Sequence, residues 1–330
     1  MKVLIADLPK AQNRNINYEI GLLKAEFPDV ETVVYNYDDA KKDEFKALLK
    51  DADALLTALI PMDGDMLAHA EKLRILSLTS TGYNFVDLDC ATQKGIAVAA
   101  IGEYCTNEVA DHAMALLLAL NRKLKTYTDL IDSQKKWLYK EAAPIHSLDG
   151  QTLGIFGLGK IGRALAKRAQ AFGMTVIAHD PYLPPPVAES IHVKLVSAKD
   201  IMEQSDVISN HMIQTPEVYN FFCDDFFNGL KKAPIFLNVA RGDSVDEDAL
   251  LRALESGKIS AAGLDVFKDE NPDLTHCPFV GRDNVIITPH AAFYSAESYL
   301  RMQNISVGNI IHYLKKEYQQ VNRIVNGIEA

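Results

Sequence analysis

The sequence has 330 residues, 48% apolar and 24% charged, which suits two soluble globular domains of ordinary size. A net charge of −10 without any Lys/Arg block argues against nucleic acid as the main partner. The opening MKVLIADLPK is too short an apolar run for a signal peptide, and Val109–Leu120 contains Asp111 and His112 and is too short to cross a bilayer, so a cytoplasmic protein with no membrane partner is expected.

Strand patterns are expected at Lys2–Ala6, Thr32–Tyr37, Ala54–Leu59, Leu73–Ser80 and Ile96–Ala100, alternating with helical patterns such as Tyr18–Phe27, Asp43–Leu49 and Asp87–Lys94. Such alternation implies a parallel sheet with helices on both faces. A long helix is expected from Thr106 to about Lys125, then a polar, irregular arm holding the only tryptophan, Trp137. A second α/β unit begins near Thr152, with further strands expected at Met174–His179, Val193–Val196, Val207–His211, Ile235–Val239, Ala262–Val266 and Val285–Thr288. Pro184–Pro186 reads as a loop, and Ser295–Tyr318 as a long amphipathic helix. The cysteines (Cys90, Cys105, Cys223 and Cys277) are scattered without C-x-x-C or zinc-ligand spacing, so neither a metal site nor disulfides are expected. The fold class expected is α/β, two doubly wound parallel-sheet domains with a cleft between them. Ligands in such sheets bind beyond the carboxyl ends of the strands.

The second unit opens on the most specific signal in the chain. Thr152–Phe156 runs straight into Gly157, Gly159 and Gly162 of GLGKIG. Ile161, Leu165, Ala169 and Phe172 follow at helical spacing, and Met174–His179 ends on Asp180, 18 residues after the third glycine. Strand, G-x-G-x-x-G, helix, strand, acid is the order a dinucleotide site requires. Gly157 permits the tight turn, Gly159 lets the backbone approach a pyrophosphate, and Gly162 brings helix and strand together. The helix start offers N–H groups and partial positive charge to phosphates.

Three further residues follow strands of this unit. Arg241, leading into Gly242, suits bidentate capture of a carboxylate. Asp265 and Glu270 follow one strand, and His290, after Pro289, follows another. Each alone has a bland reading as a solvated or capping side chain. Together they supply a cation for a carboxylate, a proton donor for a carbonyl and an acid to keep that donor charged.

The motifs STGYNFVDLDCATQKGI, EYCTNEVADH, GLGKIG, HDPY, NVARGDSVDEDAL, GLDVFKDENP and ITPHAAF occur in that order along nearly the whole length. In them the chain resembles the D-isomer-specific 2-hydroxyacid dehydrogenases, which include D-lactate, glycerate/hydroxypyruvate and phosphoglycerate dehydrogenases. The resemblance implies a flavodoxin-like substrate domain (1–101 with 296–330) and a Rossmann NAD-binding domain (102–295). An arm near 121–147 would pack on a second subunit of a homodimer. It implies that Arg241 binds the substrate carboxylate, that His290 is the acid/base, and that Glu270 keeps His290 protonated. Thr81 and Gly82 would grip the carboxylate through their amides, and Tyr104 would flank the substrate. Ile60, Met62, Phe293 and Tyr294 would meet its third substituent. The NAD contacts implied are Lys160 and Ile161 at the pyrophosphate, Asp180 with Pro181 at the ribose, and Asp265 at the nicotinamide carboxamide. His211, Met212, Thr215 and Pro216 would lie on the adenine side, with Val239 and Ala240 lining the same domain. His211–Pro216 departs from the frequent H-V-P-x-T-P by Ile213 in place of proline. The reaction implied is reversible hydride transfer between NADH and a small or medium 2-keto acid such as pyruvate, hydroxypyruvate or phenylpyruvate. The rivals are an NAD-sensing corepressor of the same fold and formate dehydrogenase, which usually has glutamine where this chain has Glu270.

Overall fold

A computed structural model describes residues 1–9, 14–142 and 144–328. The chain divides into two units, Met1–Tyr104 with Ser295–Ala330, and Cys105–Tyr294.

The first unit carries β1 (Lys2–Asp7), β2 (Glu31–Asn36), β3 (Ala54–Thr57), β4 (Ile75–Leu78) and β5 (Ala97–Ala99). They form one parallel sheet in the order β2-β1-β3-β4-β5. β3 and β4, ALLT and ILSL, are buried throughout, as strands covered on both faces must be. The long helix Ala296–Leu314 returns to this unit, and its Val307, Ile310 and Ile311 share a core with Val3, Ile5, Leu56 and Ile75.

The second unit carries β6 (Thr152–Phe156), β7 (Thr175–His179), β8 (Lys194–Leu195), β9 (Val207–Asn210), β10 (Ile235–Asn238), β11 (Ala261–Leu264) and β12 (Val285–Ile287). These run parallel in the order β12-β11-β10-β9-β6-β7-β8. The strand order reverses between β6 and β9, and that switch is where an open α/β sheet opens a crevice. The register lines up the strand ends. His179 pairs with Phe156, Phe156 with Asn210, Asn210 with Asn238, Asn238 with Leu264 and Leu264 with Ile287. The residues just past this row are Asp180, Gly157, His211, Val239, Asp265 and Thr288. The helices Thr106–Asn121 and Lys160–Ala171 supply Leu117, Leu120, Leu165 and Ala169 to the core with Ile155 and Leu237. Another core holds Phe156, Phe222, Phe226, Phe227 and Phe236, ring edge to ring face, with Phe222 and Phe226 centroids 4.8 Å apart.

Several elements differ from expectation. Most strands are one or two residues shorter at an end, because pairing stops before the apolar run does. The long helix ends at Asn121, where Lys123 turns left-handed at φ 54°, and part of the arm read as irregular is a helix, Leu124–Asp132. Residue 143 of that arm lies outside the described residues. Pro184–Pro186 is not a plain loop, since Pro185 and Pro186 open the helix Pro185–Glu189, where a missing N–H costs nothing. The C-terminal helix stops at Leu314 rather than Tyr318, and a short helix, Gly64–Ala68, is additional. Phe172 caps the Lys160–Ala171 helix and is exposed rather than on its packed face. No helix among the described residues is long and apolar enough to cross a membrane.

Candidate active site

The glycine turn has the geometry a nucleotide needs. Gly157 sits at φ 84°, where a Cβ would also strike the His211 carbonyl and the Met212 nitrogen at 2.7–2.8 Å. The β6 turn thus lies directly against the turn after β9. Gly159 caps the Lys160–Ala171 helix, and nothing stands within 4 Å of where its side chain would begin, so a phosphate has room at the helix start. Gly162 could not carry a Cβ, which would lie 2.4 Å from the Gly157 carbonyl oxygen. These residues fit a dinucleotide.

Asp180 is held at the end of β7. One carboxylate oxygen accepts the Leu158 amide at 2.8 Å and the other the Tyr182 amide at 3.1 Å. Pro181 is exposed, as are Thr215 and Pro216, which open a turn of 3-10 helix at Pro216–Val218. His211 is hydrogen-bonded through Nε2 to Ser209 Oγ at 2.8 Å, and its surroundings push it down to about 4, so it is neutral at physiological pH.

Arg241 follows β10 in extended backbone, and its Nη1 donates to the Ala240 carbonyl at 2.7 Å. Its own carbonyl accepts from Asn238 Nδ2 at 3.0 Å and Ser244 Oγ at 2.7 Å. Asn210 Nδ2 in turn donates to Asn238 Oδ1 and Ser244 Oγ. This buried amide and hydroxyl set fixes the arginine's backbone. Gly242 lets the same loop touch its neighbour, for a Cβ there would fall 2.0 Å from the Phe267 carbonyl carbon. The loops after β10 and β11 therefore pack backbone to backbone.

His290 and Glu270 meet, with Nδ1 2.7 Å from Glu270 Oε2. A carboxylate oxygen accepts only, so Nδ1 carries hydrogen and Nε2 is left to face a reactant. His290 is in left-handed backbone at φ 51°. Asp265 is 1% exposed rather than solvated. Its Oδ1 accepts from Thr288 Oγ1 at 2.5 Å and the Ala291 amide at 2.9 Å, and its Oδ2 accepts the Ala292 amide at 3.0 Å. Phe293 is half-buried with its ring edge to that of His290, and Tyr294 is exposed.

In the first unit, Thr81 is exposed and Gly82 half-buried in the turn after β4, which Ser80 closes by donating to the Gly82 carbonyl at 2.7 Å. Tyr104's carbonyl accepts from Arg301 Nε at 2.8 Å. Ile60 and Met62, expected against a substrate, are corrected: neither has exposed surface. Met62 pairs with Val86 as an isolated parallel bridge, and both side chains join the core with Met66 and Leu78. Leu59, 40% exposed, and Pro61 are the open residues of that loop. Asp7 anchors it, accepting the Ala58 amide at 2.5 Å and the Leu59 amide at 3.1 Å. Burial raises the pKa of Asp7, and Arg14, 3.1 Å away and shared with Glu19, opposes the shift.

Sequence reasoning missed Asp7, Asn210, Asn238, Ser244 and Thr288, each of which hydrogen-bonds a loop of its own unit. Buried asparagine and serine at strand ends were the available signal.

Residues 114–292 match the family described as D-isomer specific 2-hydroxyacid dehydrogenase, NAD binding domain. The chain is 35% identical to a hydroxypyruvate reductase of Blautia hydrogenotrophica, over 86% of this chain and 89% of that one. It is 38% identical to a D-3-phosphoglycerate dehydrogenase of Methanocaldococcus jannaschii over 78% of this chain, but spans only 49% of that enzyme. The crystal structure of a D-lactate dehydrogenase from Aquifex aeolicus, complexed with NAD and lactic acid, superposes with a TM-score of 0.86 at 29% identity, covering 98% of this chain and 99% of that one.

Proposed function

Because the chain belongs to the D-isomer specific 2-hydroxyacid dehydrogenase family, and so is an NAD-dependent oxidoreductase of 2-hydroxy acids, we propose that Arg241, Glu270 and His290 carry its chemistry on a small or medium 2-keto acid. The observation that carries this reading is the His290–Glu270 pair at 2.7 Å beside the strand-end row. Bound NAD supplies or takes the hydride. Glycines 157, 159 and 162, with Lys160 and Ile161, hold its pyrophosphate, and Asp180 its ribose. Arg241 grips the substrate carboxylate, aided by the amides of Thr81 and Gly82. His290 gives a proton from Nε2 to the keto oxygen during reduction and takes it back during oxidation. Glu270 steadies the charged ring through Nδ1.

Leu59, Phe293 and Tyr294 offer no cation to the substrate's third substituent. A second charge buried there without a partner would cost several kcal/mol. Pyruvate, hydroxypyruvate or phenylpyruvate should therefore outperform oxaloacetate, 2-ketoglutarate and phosphohydroxypyruvate, giving the D alcohol. NADH should be preferred to NADPH. Asp180 faces the ribose, and no Lys or Arg lies among residues 181–187 to meet a 2′-phosphate. Two like charges near 4 Å cost about 4 kcal/mol at an effective dielectric of about 20, which solvent reduces. Steady-state assays of the six keto acids with both nucleotides, with chiral analysis of the product, test this. An L product, a dicarboxylate or phosphorylated substrate, or equal use of NADPH would overturn it.

The arm bears Leu124, Ile131, Trp137, Leu138 and Tyr139, all exposed, with Trp137 at 89%. Apolar surface of that kind is read as an interface with a second copy. Trp137→Glu should shift the protein from dimer toward monomer in sedimentation equilibrium. A wild-type monomer at micromolar concentration would refute the assignment.

A further inference from the structure

His112 belongs to the EYCTNEVADH motif, and nothing above gives it a role. It lies on the helix Thr106–Asn121, half-buried, with Nε2 2.9 Å from Thr288 Oγ1. Thr288 Oγ1 is 2.5 Å from Asp265 Oδ1, whereas His112 Nε2 is 3.7 Å from that oxygen. The polarity of this row follows from the donors available. Both Asp265 oxygens accept backbone N–H groups. The single Thr288 hydroxyl hydrogen therefore goes to Asp265. The Thr288 oxygen is left as an acceptor, and His112 must hold its hydrogen on Nε2. Hydrogen bonds run one way, from His112 to Thr288 to Asp265.

Asp265 also grips the segment that carries His290. Its carbonyl accepts the His290 amide at 2.8 Å, and its carboxylate accepts the next two amides, those of Ala291 and Ala292. Between these grips His290 sits at φ 51°. A left-handed conformation is unfavourable for an L-residue and persists only where the surroundings impose it. Here a buried carboxylate imposes it, and the Thr288 hydroxyl orients that carboxylate.

We propose that His112 is a positioning residue for the acid/base His290, acting through the Thr288 hydroxyl and the Asp265 carboxylate to hold the left-handed turn that aims the imidazole. This rests on the reading of His290 as the acid/base. In a bare carboxylate, Oδ1 and Oδ2 are equivalent acceptors free to rotate. With Thr288 on one oxygen and His112 behind it, rotation about the Cβ–Cγ bond would break the row. The helix Thr106–Asn121 thereby fixes a loop more than 170 residues away in sequence.

The test compares four variants. His112→Leu and Thr288→Val remove a donor at near-constant volume, while His112→Gln and Thr288→Ser restore it, since the glutamine Nε2 can stand where the imidazole Nε2 stood. Pyruvate or hydroxypyruvate with NADH is the assay pair, whichever turns over faster. His112→Leu and Thr288→Val should each lower kcat about 10- to 100-fold, with little change in KM or in NADH affinity, as a displaced catalytic group does. The double variant should be no worse than Thr288→Val alone, because both act through one row. His112→Gln and Thr288→Ser should recover most of the loss. Hydrogen exchange of the peptide spanning residues 288–294 should be faster in the two donor-less variants and normal in the two restored ones, whatever the activity. Full kcat in His112→Leu with unchanged exchange would overturn the proposal, as would additive losses or failure of the glutamine to rescue. His290→Ala is the control that separates the two readings. If it stays active, the acid/base assignment fails. If it is inactive while the His112 and Thr288 variants are normal, only the positioning role fails.

Discussion

Replacing His290 with alanine is expected to cut kcat for keto-acid reduction by about 10²–10⁴-fold while NADH binding stays nearly normal. The imidazole is 39% exposed and is hydrogen-bonded to Glu270, itself exposed, so its removal leaves that carboxylate in solvent rather than orphaned in the core. Alanine keeps a Cβ at φ 51°, so the backbone strain there is unchanged. The loss should therefore appear in turnover rather than in melting temperature. Glu270→Gln gives the contrast. The amide can still accept from Nδ1 but brings no negative charge, so the rate of reduction should fade at lower pH than in the wild type. Stopped-flow reduction across pH 5–9, with NADH fluorescence titration beside it, reads both. A His290→Ala enzyme within tenfold of wild type would remove the residue from the mechanism.

Arg241→Lys should raise KM for the keto acid by about 10- to 100-fold, the range expected for losing one charged hydrogen bond worth about 1.5–3 kcal/mol. The structure sharpens the reason. One guanidinium nitrogen is already engaged by the Ala240 carbonyl at 2.7 Å. The rest of the fork is what a carboxylate would grip. A lysine has a single nitrogen, which cannot satisfy the carbonyl and present a planar pair of donors together. The Asn210, Asn238 and Ser244 set that fixes the backbone is untouched, so the fold should hold. An unchanged KM would place the carboxylate elsewhere.

The strands and the glycine turn could be read from the sequence because their signals are local. An apolar run such as LGIF, stopped by Gly157, states both the strand and its end, while IFL states its strand and leaves the end to pairing. Gly157, Gly159 and Gly162 behave as their spacing implies. What could not be read depends on pairing across long separations. Asp265 is an acid after a strand, and nothing nearby says that Thr288, Ala291 and Ala292 will surround it. Met62 is apolar in a loop, and only the bridge to Val86 sends it to the core instead of to a ligand. Lys123 has no sequence mark of a left-handed residue, so one helix was expected where two occur.

The first unit is discontinuous, and that sets an order of events during synthesis. Val3, Ile5, Leu56 and Ile75 emerge early, yet their cover is Val307, Ile310 and Ile311, and the Ser77 hydroxyl donates to the Ser306 carbonyl at 2.7 Å. Further on, the Ala100 amide waits for the Arg323 carbonyl and the Val98 carbonyl for the Val325 amide, both at 2.9 Å. All of Cys105–Tyr294 is made in between. At about 5–20 residues per second this leaves roughly 10–40 seconds in which one face of the nascent sheet has only the cover of Leu23 and its neighbours on the helix Ile16–Glu26, while the second unit can already fold. Part of the first unit's apolar surface therefore stays open to non-native contacts until its last helix has been made.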